Sequence, residues 1–216
     1  MTILPIPTIE RLFVYHKVLS GLFKEGATHF FSYDLARRAH NSAAQVRRDL
    51  MSSGCIGSSG KGYHIKLTLS TLSRVLETGT SRRLIVVGLG NIGKAMISHF
   101  SETHTDFSVQ AAFDCDTRKT GHPFKNCPCM NISELEHYLD NNKIELAVLA
   151  VPASEAQSLA DRLISGGVVG ILNFAPVRLA VPSWVCVEDN HISLILKKIA
   201  FLSKQSQEQL MEKQVL

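Results

Sequence analysis

Apolar positions follow two different regimes along this 216-residue chain. Up to about residue 76 they recur at helical spacing. Ile9, Leu12, Phe13, Leu19, Leu22 and Phe23 line one face of a helix predicted over Thr8–Lys24, with Gly26 as its stop. Ser32 is placed to cap a short helix through Arg38, and His40-Asn41 makes a turn. Ser42-Ala43-Ala44-Gln45 reads as a capping box: the Ser42 hydroxyl accepts from the Gln45 N–H and the Gln45 side chain reaches back. That helix runs to about Ser53 and is closed by Gly54. Gly54, Gly57, Gly60 and Gly62 then exclude a helix, and the stretch ending at Tyr63-His64-Ile65 predicts a tight β-ribbon. Leu67–Leu76 is helical again.

A short polar linker, Glu77–Arg83, separates this part from the next. Beyond it, β-branched runs alternate with helical stretches. Strands are predicted at Leu84–Val87, Val109–Phe113, Glu145–Val151, Val168–Phe174 and Trp184–Val187. Helices are predicted at Asn91–Phe100, Ser133–Asn142, Ser154–Ser165 and from Ile192 to about Lys213. Continuously apolar strands between helices imply a parallel sheet covered on both faces. The last helix carries Ile192, Ile195, Leu196, Ile199 and Leu202 along one side, a stripe suited to burial against a partner subunit.

Charge follows the same division. Residues 1–80 hold ten Lys+Arg and five Asp+Glu, whereas residues 81–216 hold thirteen and fourteen. A basic terminal third points to an anionic partner for that part alone, or to a merely solvated basic face. No run of about 18 uncharged apolar residues is present, so no membrane-spanning helix is expected. Met1 to Arg11 contains two prolines and no long apolar run, so no secretory leader is expected. Five cysteines, an odd number, argue against a disulfide framework and for a reducing cytoplasm.

The sharpest chemical signal is Val86-Val87-Gly88-Leu89-Gly90-Asn91-Ile92-Gly93, a G-x-G-x-x-G run after a strand and at a helix start. The first Gly permits the tight turn, the second admits a pyrophosphate to the backbone, and the third lets helix and strand pack closely. The helix start offers free N–H groups and partial positive charge to phosphates. Asp114 closes the following strand, where a carboxylate accepts from adenosine ribose hydroxyls and repels a 2′-phosphate. NAD(H) is thereby favoured over NADP(H), with Arg118 and Lys119 nearby moderating the preference. The bland alternative is a glycine-bearing turn without a ligand.

Hydride transfer needs an acid/base group or a metal beside the nicotinamide. After Val151-Pro152, where the third strand is expected to open on the crevice, comes Ala153-Ser154-Glu155, and after the next strand Asn173-Phe174-Ala175-Pro176; these are largely apolar or amide groups with no His or Lys proton carrier. The fold therefore reads as binding the dinucleotide without turning it over. In the basic third, a short helix, a turn and a capped helix bearing Gln45, Arg47 and Arg48 resemble a helix-turn-helix, with the glycine-rich ribbon and its Lys61 as a wing. A small helical unit used only for protein contacts fits the same pattern.

Taken together, the residues resemble the redox-sensing transcriptional repressor family called Rex, from about Pro5 to Gln205. The resemblance rests on Gln45-Val46-Arg47-Arg48-Asp49-Leu50, Gly60-Lys61-Gly62-Tyr63, Val87–Gly93, Ala111-Ala112-Phe113-Asp114 and Val151-Pro152-Ala153. Its most specific stretch is Gly170–Leu179. The resemblance implies an α/β protein with three parts: a winged helix-turn-helix over 1–80, a Rossmann-like NAD(H) domain over 81–190, and a C-terminal helix over 191–216 swapped onto a second subunit. It implies a cytoplasmic homodimer that represses genes from double-stranded operator DNA and is released by NADH, with NAD⁺ competing for the same site. The expected DNA-contacting set is Arg11, Gln45, Arg47, Arg48 and Lys61. The expected nucleotide set is Gly88–Gly93, Asp114, Val151–Ala153 and Asn173–Pro176.

The chain departs from the family at several points. Met51-Ser52-Ser53 and Ser58-Ser59 replace aromatics and a basic pair, Asn190-His191 replaces Val-Asp, and His99 stands where Tyr is common. The alternative from another class is an NAD-binding oxidoreductase or nucleotide-binding subunit whose N-terminal part only mediates dimer contacts. Cys127-Pro128-Cys129 with His122 invites a zinc reading, but the spacing is short and a fourth ligand is not evident, so no metal is expected.

Overall fold

The computed structural model describes residues 4–58, 60–79, 81–102 and 106–214, with side chains in the last helix described through 207. Ser59, named above in the wing, lies outside the described residues. The chain divides into two compact units, residues 1–80 and 81–216.

The first unit contains α1 (Ile6–Lys24), β1 (His29–Phe30), α2 (Ser32–Arg38), α3 (Ala43–Ser52), β2 (Tyr63–His64) and α4 (Ile65–Leu76). Helix α1 starts two residues before the predicted Thr8, because Pro7 sits in the first turn, where a missing N–H leaves no bond unmade. Leu12, Tyr15 and Leu19 of α1, Leu35 of α2, Val46 and Leu50 of α3, and Ile65 and Leu72 of α4 form the core. Ser32 is the first residue of α2 rather than its cap; Phe31 holds the cap position without a side-chain bond. The ribbon is assembled differently from the expectation. β2 pairs antiparallel with β1, Phe30 opposite Tyr63, and their rings stack at 5.3 Å. A single bridge between Ser58 and Gly62 then closes the wing. Gly62 has φ +71°, and a Cβ there would lie 2.4 Å from the Phe30 carbonyl oxygen, so only glycine fits.

The second unit runs β3 (Arg82–Val87), α5 (Asn91–Glu102), β4 (Phe107–Asp114), β5 (Cys129–Asn131), α6 (Leu135–Asn141), β6 (Leu146–Leu149), α7 (Ala153–Ser165), β7 (Gly170–Asn173), β8 (Cys186–Asp189) and α8 (Ile192–Gln214). The sheet order is β5-β4-β3-β6-β7-β8, with every pairing parallel. Strand order reverses between β3 and β6, and such reversals open a crevice at the carboxyl ends of the strands. Alternate residues of β3 feed two cores. Ile85 and Val87 pack with Leu149, Ala156 and Leu163, while Leu84 and Val86 pack with Ile97 and Val148. Both faces are thus covered.

Two strands differ from the pattern reading. The last is Cys186–Asp189 rather than Trp184–Val187, because a turn in which Val185 N–H donates to the Pro182 carbonyl holds the chain off the sheet. Trp184 is exposed there. The other, β5, was not foreseen; it takes the end of the Cys-Pro-Cys run into the sheet beside β4. Cys127 and Cys129 consequently belong to the apolar core, and burial together with the neighbouring Cys129 pushes the Cys127 thiol up to about 12. Along α8, Ile192, Leu194, Ile195, Leu196, Ile199, Phe201 and Leu202 are each 47–63 % exposed.

Candidate nucleotide cleft and nucleic-acid interface

The glycine loop joins β3 to α5 at the strand reversal. A Cβ on Gly88 (φ +100°) would lie 2.2 Å from the Ala150 carbonyl oxygen, and one on Gly93 would lie 1.8 Å from that of Gly88. Both glycines are required by the protein's own packing. Around a Cβ on Gly90 there is nothing within 4 Å. Gly90 therefore faces open space, the arrangement expected where a ligand approaches the backbone.

That space is a cleft of about 480 Å³, lined among others by Gly88, Gly90, Asp114, Val151 and Pro152. Lys119 and Glu155 also line it, as do Cys115 and Arg162, for which the sequence pattern carries no signal. Arg162 is pinned by Glu136 and donates to the Ile132 carbonyl at 2.7 Å. Leu89 is buried, and its N–H donates to Asp114 Oδ2 at 2.7 Å. Asn91 and Ile92 are exposed at the start of α5, and Ala153 is exposed at the start of α7.

Asp114 is almost fully buried. Besides Leu89, it accepts from the Asp116 N–H at 2.8 Å and from Lys119 Nζ at 3.2 Å. Burial alone would raise its carboxyl, but the two backbone N–H groups and Lys119 outweigh that and hold it below its ordinary value. The group is thus an ionised acceptor at the end of β4.

The β7 loop is built inward. Asn173 Nδ2 donates to the Val177 carbonyl and to Asp189 Oδ1, both at 2.8 Å, and its Oδ1 accepts from Ala175 N–H at 3.0 Å. Asn173 and Ala175 are buried, Phe174 is partly buried in the core beside β3, and Pro176 is exposed. None of these four is among the residues lining the cleft. Asn173 instead fastens the β7 exit to β8. His191 follows at the start of α8, its Nε2 3.8 Å from Asp189 Oδ1, and Leu194 and Ile195 N–H donate to its carbonyl. His99 lies on α5 beside Phe100.

In the first unit, α2 and α3 flank the His40-Asn41 turn. The Ser42 cap forms as predicted, with Gln45 N–H donating at 3.1 Å. The reciprocal half does not, because the Gln45 amide donates to Asp49 Oδ1 at 2.8 Å instead. Buried Asp49 also accepts from Arg11 at 2.7 and 2.8 Å and from the Tyr15 hydroxyl at 3.0 Å. Two expected DNA contacts thus have committed donors: Arg11 ties α1 to α3 through Asp49, and the Gln45 amide is held by Asp49 within α3. Arg47 is exposed and steered by one bond to the Ser32 hydroxyl at 3.1 Å, a contact that charge patterning could not reveal. Arg48 is exposed, and so is Lys61 in the wing. Phe31 and Tyr33 stack at 5.3 Å and are exposed beside Ser32.

The comparisons agree with this architecture. Residues 3–50 match the family model described as "Putative DNA-binding protein N-terminus", and residues 80–177 match "CoA binding domain". The chain is 36 % identical over 198 residues to the redox-sensing transcriptional repressor Rex of Rhodopirellula baltica, spanning 92 % of this chain and 84 % of that protein. This chain belongs to the Rex family. Among solved structures, the Rex-family repressor RSP in complex with β-NAD⁺ and operator DNA is 30 % identical with a TM-score of 0.88, covering 99 % of this chain and 97 % of that one. RSP in complex with β-NADH gives 30 % and 0.84, covering 99 % of both chains. The winged helix and the Rossmann-like sheet are therefore those of a Rex repressor. Among the described residues no helix is long and apolar enough to cross a membrane, and no three His, Cys, Asp or Glu side chains converge as a metal site.

Proposed function

We propose that this chain is an NAD(H)-responsive repressor that binds double-stranded operator DNA and leaves it when NADH occupies the β3–β6 cleft. The observation that carries the reading is the pairing of Gly90, open to the cleft, with the ionised Asp114 at its rim, in one chain with a capped helix presenting Arg47 and Arg48. The pyrophosphate lies over Gly90 against the N–H groups opening α5. The adenosine ribose donates its hydroxyls to Asp114. The same carboxylate disfavours a 2′-phosphate and the 3′-phosphate of coenzyme A.

The titratable groups on the cleft are Asp114, Cys115, Lys119, Glu155 and Arg162. Asp114 and Lys119 are engaged with each other, and Arg162 with Glu136. No histidine is among these cleft groups and the one lysine is engaged by Asp114, which supports a sensor over a hydride-transfer enzyme that uses either as proton carrier. Of Arg47 and Arg48, one reads bases and the other meets phosphate, and Lys61 takes a phosphate. Arg11 acts by setting the pose of α3 through Asp49, and Gln45 by holding the Asp49 carboxylate. Residues 1–80 serve as the DNA-binding part, 81–190 as the nucleotide domain, and 191–216 as the dimerisation helix. The exposed apolar side chains of α8 form a larger patch than a solvated helix carries, and a second copy of the chain covers it. The repressor acts in the cytoplasm, where the NADH pool it reads is found.

A mobility shift of a duplex selected by this chain from random sequence, with and without NADH, tests the reading. A turnover assay with NADH and carbonyl substrates runs beside it. DNA release without turnover is expected; turnover with no DNA binding at low salt would support the oxidoreductase alternative.

A further inference from the structure

At the corner of the cleft that receives the adenosine ribose, Lys119 lines the wall beside Asp114, and a second cation, Arg118, precedes it in the chain outside the lining. After Asp114 the chain makes a short 3₁₀ turn, Thr117–Lys119, that brings Arg118 and Lys119 back beside the end of β4. Basic side chains at this corner are the usual means by which a dinucleotide site accepts a 2′-phosphate. Here each cation already has its own carboxylate. Lys119 Nζ sits on Asp114 Oδ2 at 3.2 Å. Arg118 Nε and Nη2 straddle Asp116, at 3.0 Å to Oδ1 and 2.9 Å to Oδ2.

Asp116 is the anchored member of that second pair. Its Oδ1 also accepts the Arg118 backbone N–H at 3.1 Å, so it caps the turn it clamps. Its side chain is 23 % exposed, against 88 % for Arg118. The bonds from Arg118 hold its carboxyl down to about 2, so it is charged at neutral pH. Released from Asp116, the long arginine side chain lies one residue from cleft-lining Lys119.

We infer that Asp116 is a second specificity-determining residue for the nucleotide: it holds Arg118 away from the adenosine ribose and adds a negative charge there, so that the corner rejects a 2′-phosphate despite its two cations. This rests on the NAD(H) reading above. It assigns the rejection to two carboxylates rather than to Asp114 alone.

The test is calorimetric titration of the full-length chain with NADH and with NADPH. The variants are Asp116→Asn, Arg118→Ala and the double variant. Asparagine keeps an oxygen to cap the turn, and Asp116→Ser, also a good cap, serves as a second variant should the first fail to fold. An exposed bidentate pair shifts such an equilibrium only modestly. NADPH affinity is therefore expected to rise roughly two- to fivefold in Asp116→Asn, with NADH affinity unchanged within error. Adding Arg118→Ala should remove the gain. A ratio of NADPH to NADH affinity that is unmoved by Asp116→Asn overturns the inference. A gain that survives in the double variant overturns it as well, since Arg118 would not be the agent. Absence of NADH binding to the unaltered chain would overturn the nucleotide reading itself, and the clamp with it.

Discussion

The backbone N–H of Leu89, in the middle of the glycine loop, donates to Asp114 Oδ2 at 2.7 Å. One carboxylate thus shapes the glycine loop and, on the proposed reading, also receives the adenosine ribose. Binding and specificity are coupled through it.

Asp114→Ala should lower NADH affinity about 10- to 100-fold, since charge-assisted hydrogen bonds contribute about 1.5–3 kcal/mol. NADPH should lose less, because Lys119 is then freed from its partner. The NADH preference narrows. Calorimetry with both nucleotides measures this, and an unchanged preference would remove Asp114 from the selectivity argument.

The glycines of the loop should separate by phenotype. Gly90→Asp has room in the empty cleft, so melting should be near normal while nucleotide binding is abolished, the new carboxylate facing the pyrophosphate. Gly93→Ala places a methyl against the Gly88 carbonyl and should lower stability by about 1–3 kcal/mol. Thermal melts with and without NADH distinguish the two.

Asp49 gives the first unit an acid-sensitive lock. Burial would raise its carboxyl, but bonds from Arg11, Gln45 and Tyr15 outweigh burial and hold it below the ordinary carboxylate range. A carboxyl depressed in the folded state contributes stability that is fully present above its unfolded value, about pH 4. That contribution is lost as pH falls through the folded value. Asp49→Asn should cost about 3 kcal/mol at neutral pH, with Arg11 left uncompensated. The gap between variant and unaltered chain should shrink on acidification towards pH 3. Denaturant unfolding at pH 7 and pH 3 provides the check; a gap that widens in acid would reverse the sign.

The helix and the wing should contribute differently to DNA binding. An arginine bidentate to guanine is worth about 1–3 kcal/mol of discrimination. At least one of Arg47→Ala and Arg48→Ala should therefore relax specificity at a single base pair. Ser32→Ala, which removes the hydroxyl that steers Arg47, should act in the same direction more weakly. Lys61→Ala should weaken binding to all sequences alike and reduce the salt slope by about one unit. Competition against single-base variants at several salt concentrations reads both effects. An altered base preference in Lys61→Ala alone would make the wing the reader.

Much of the fold could be read from local pattern because the physics there is local. Gly88 and Gly93 are demanded by turn and packing geometry, and the apolar runs around Leu84 and Leu146 declare a sheet buried on both faces. What escaped was set by distant partners or by very short pairings. A two-residue strand such as His29–Phe30 has no periodicity to detect, and Cys129–Asn131 is an edge strand entered from a proline. Arg11 reads as surface charge until Asp49, 38 residues away, is placed beside it. Gln45 satisfies a capping motif, yet its side-chain amide N–H donates to the ionised Asp49 one helical turn on, and its oxygen does not reach back to the Ser42 N–H. The pairing of Arg118 with Asp116 likewise depends on a turn and on side-chain conformations that composition cannot specify.

The most direct test is fluorescence anisotropy of a labelled duplex selected by this chain, held at constant total nucleotide while the NADH to NAD⁺ ratio is varied. DNA should be bound when NAD⁺ dominates and released as the NADH share rises, with Gly90→Asp bound throughout. Occupancy that ignores the ratio, or rises with NADH, would contradict the account.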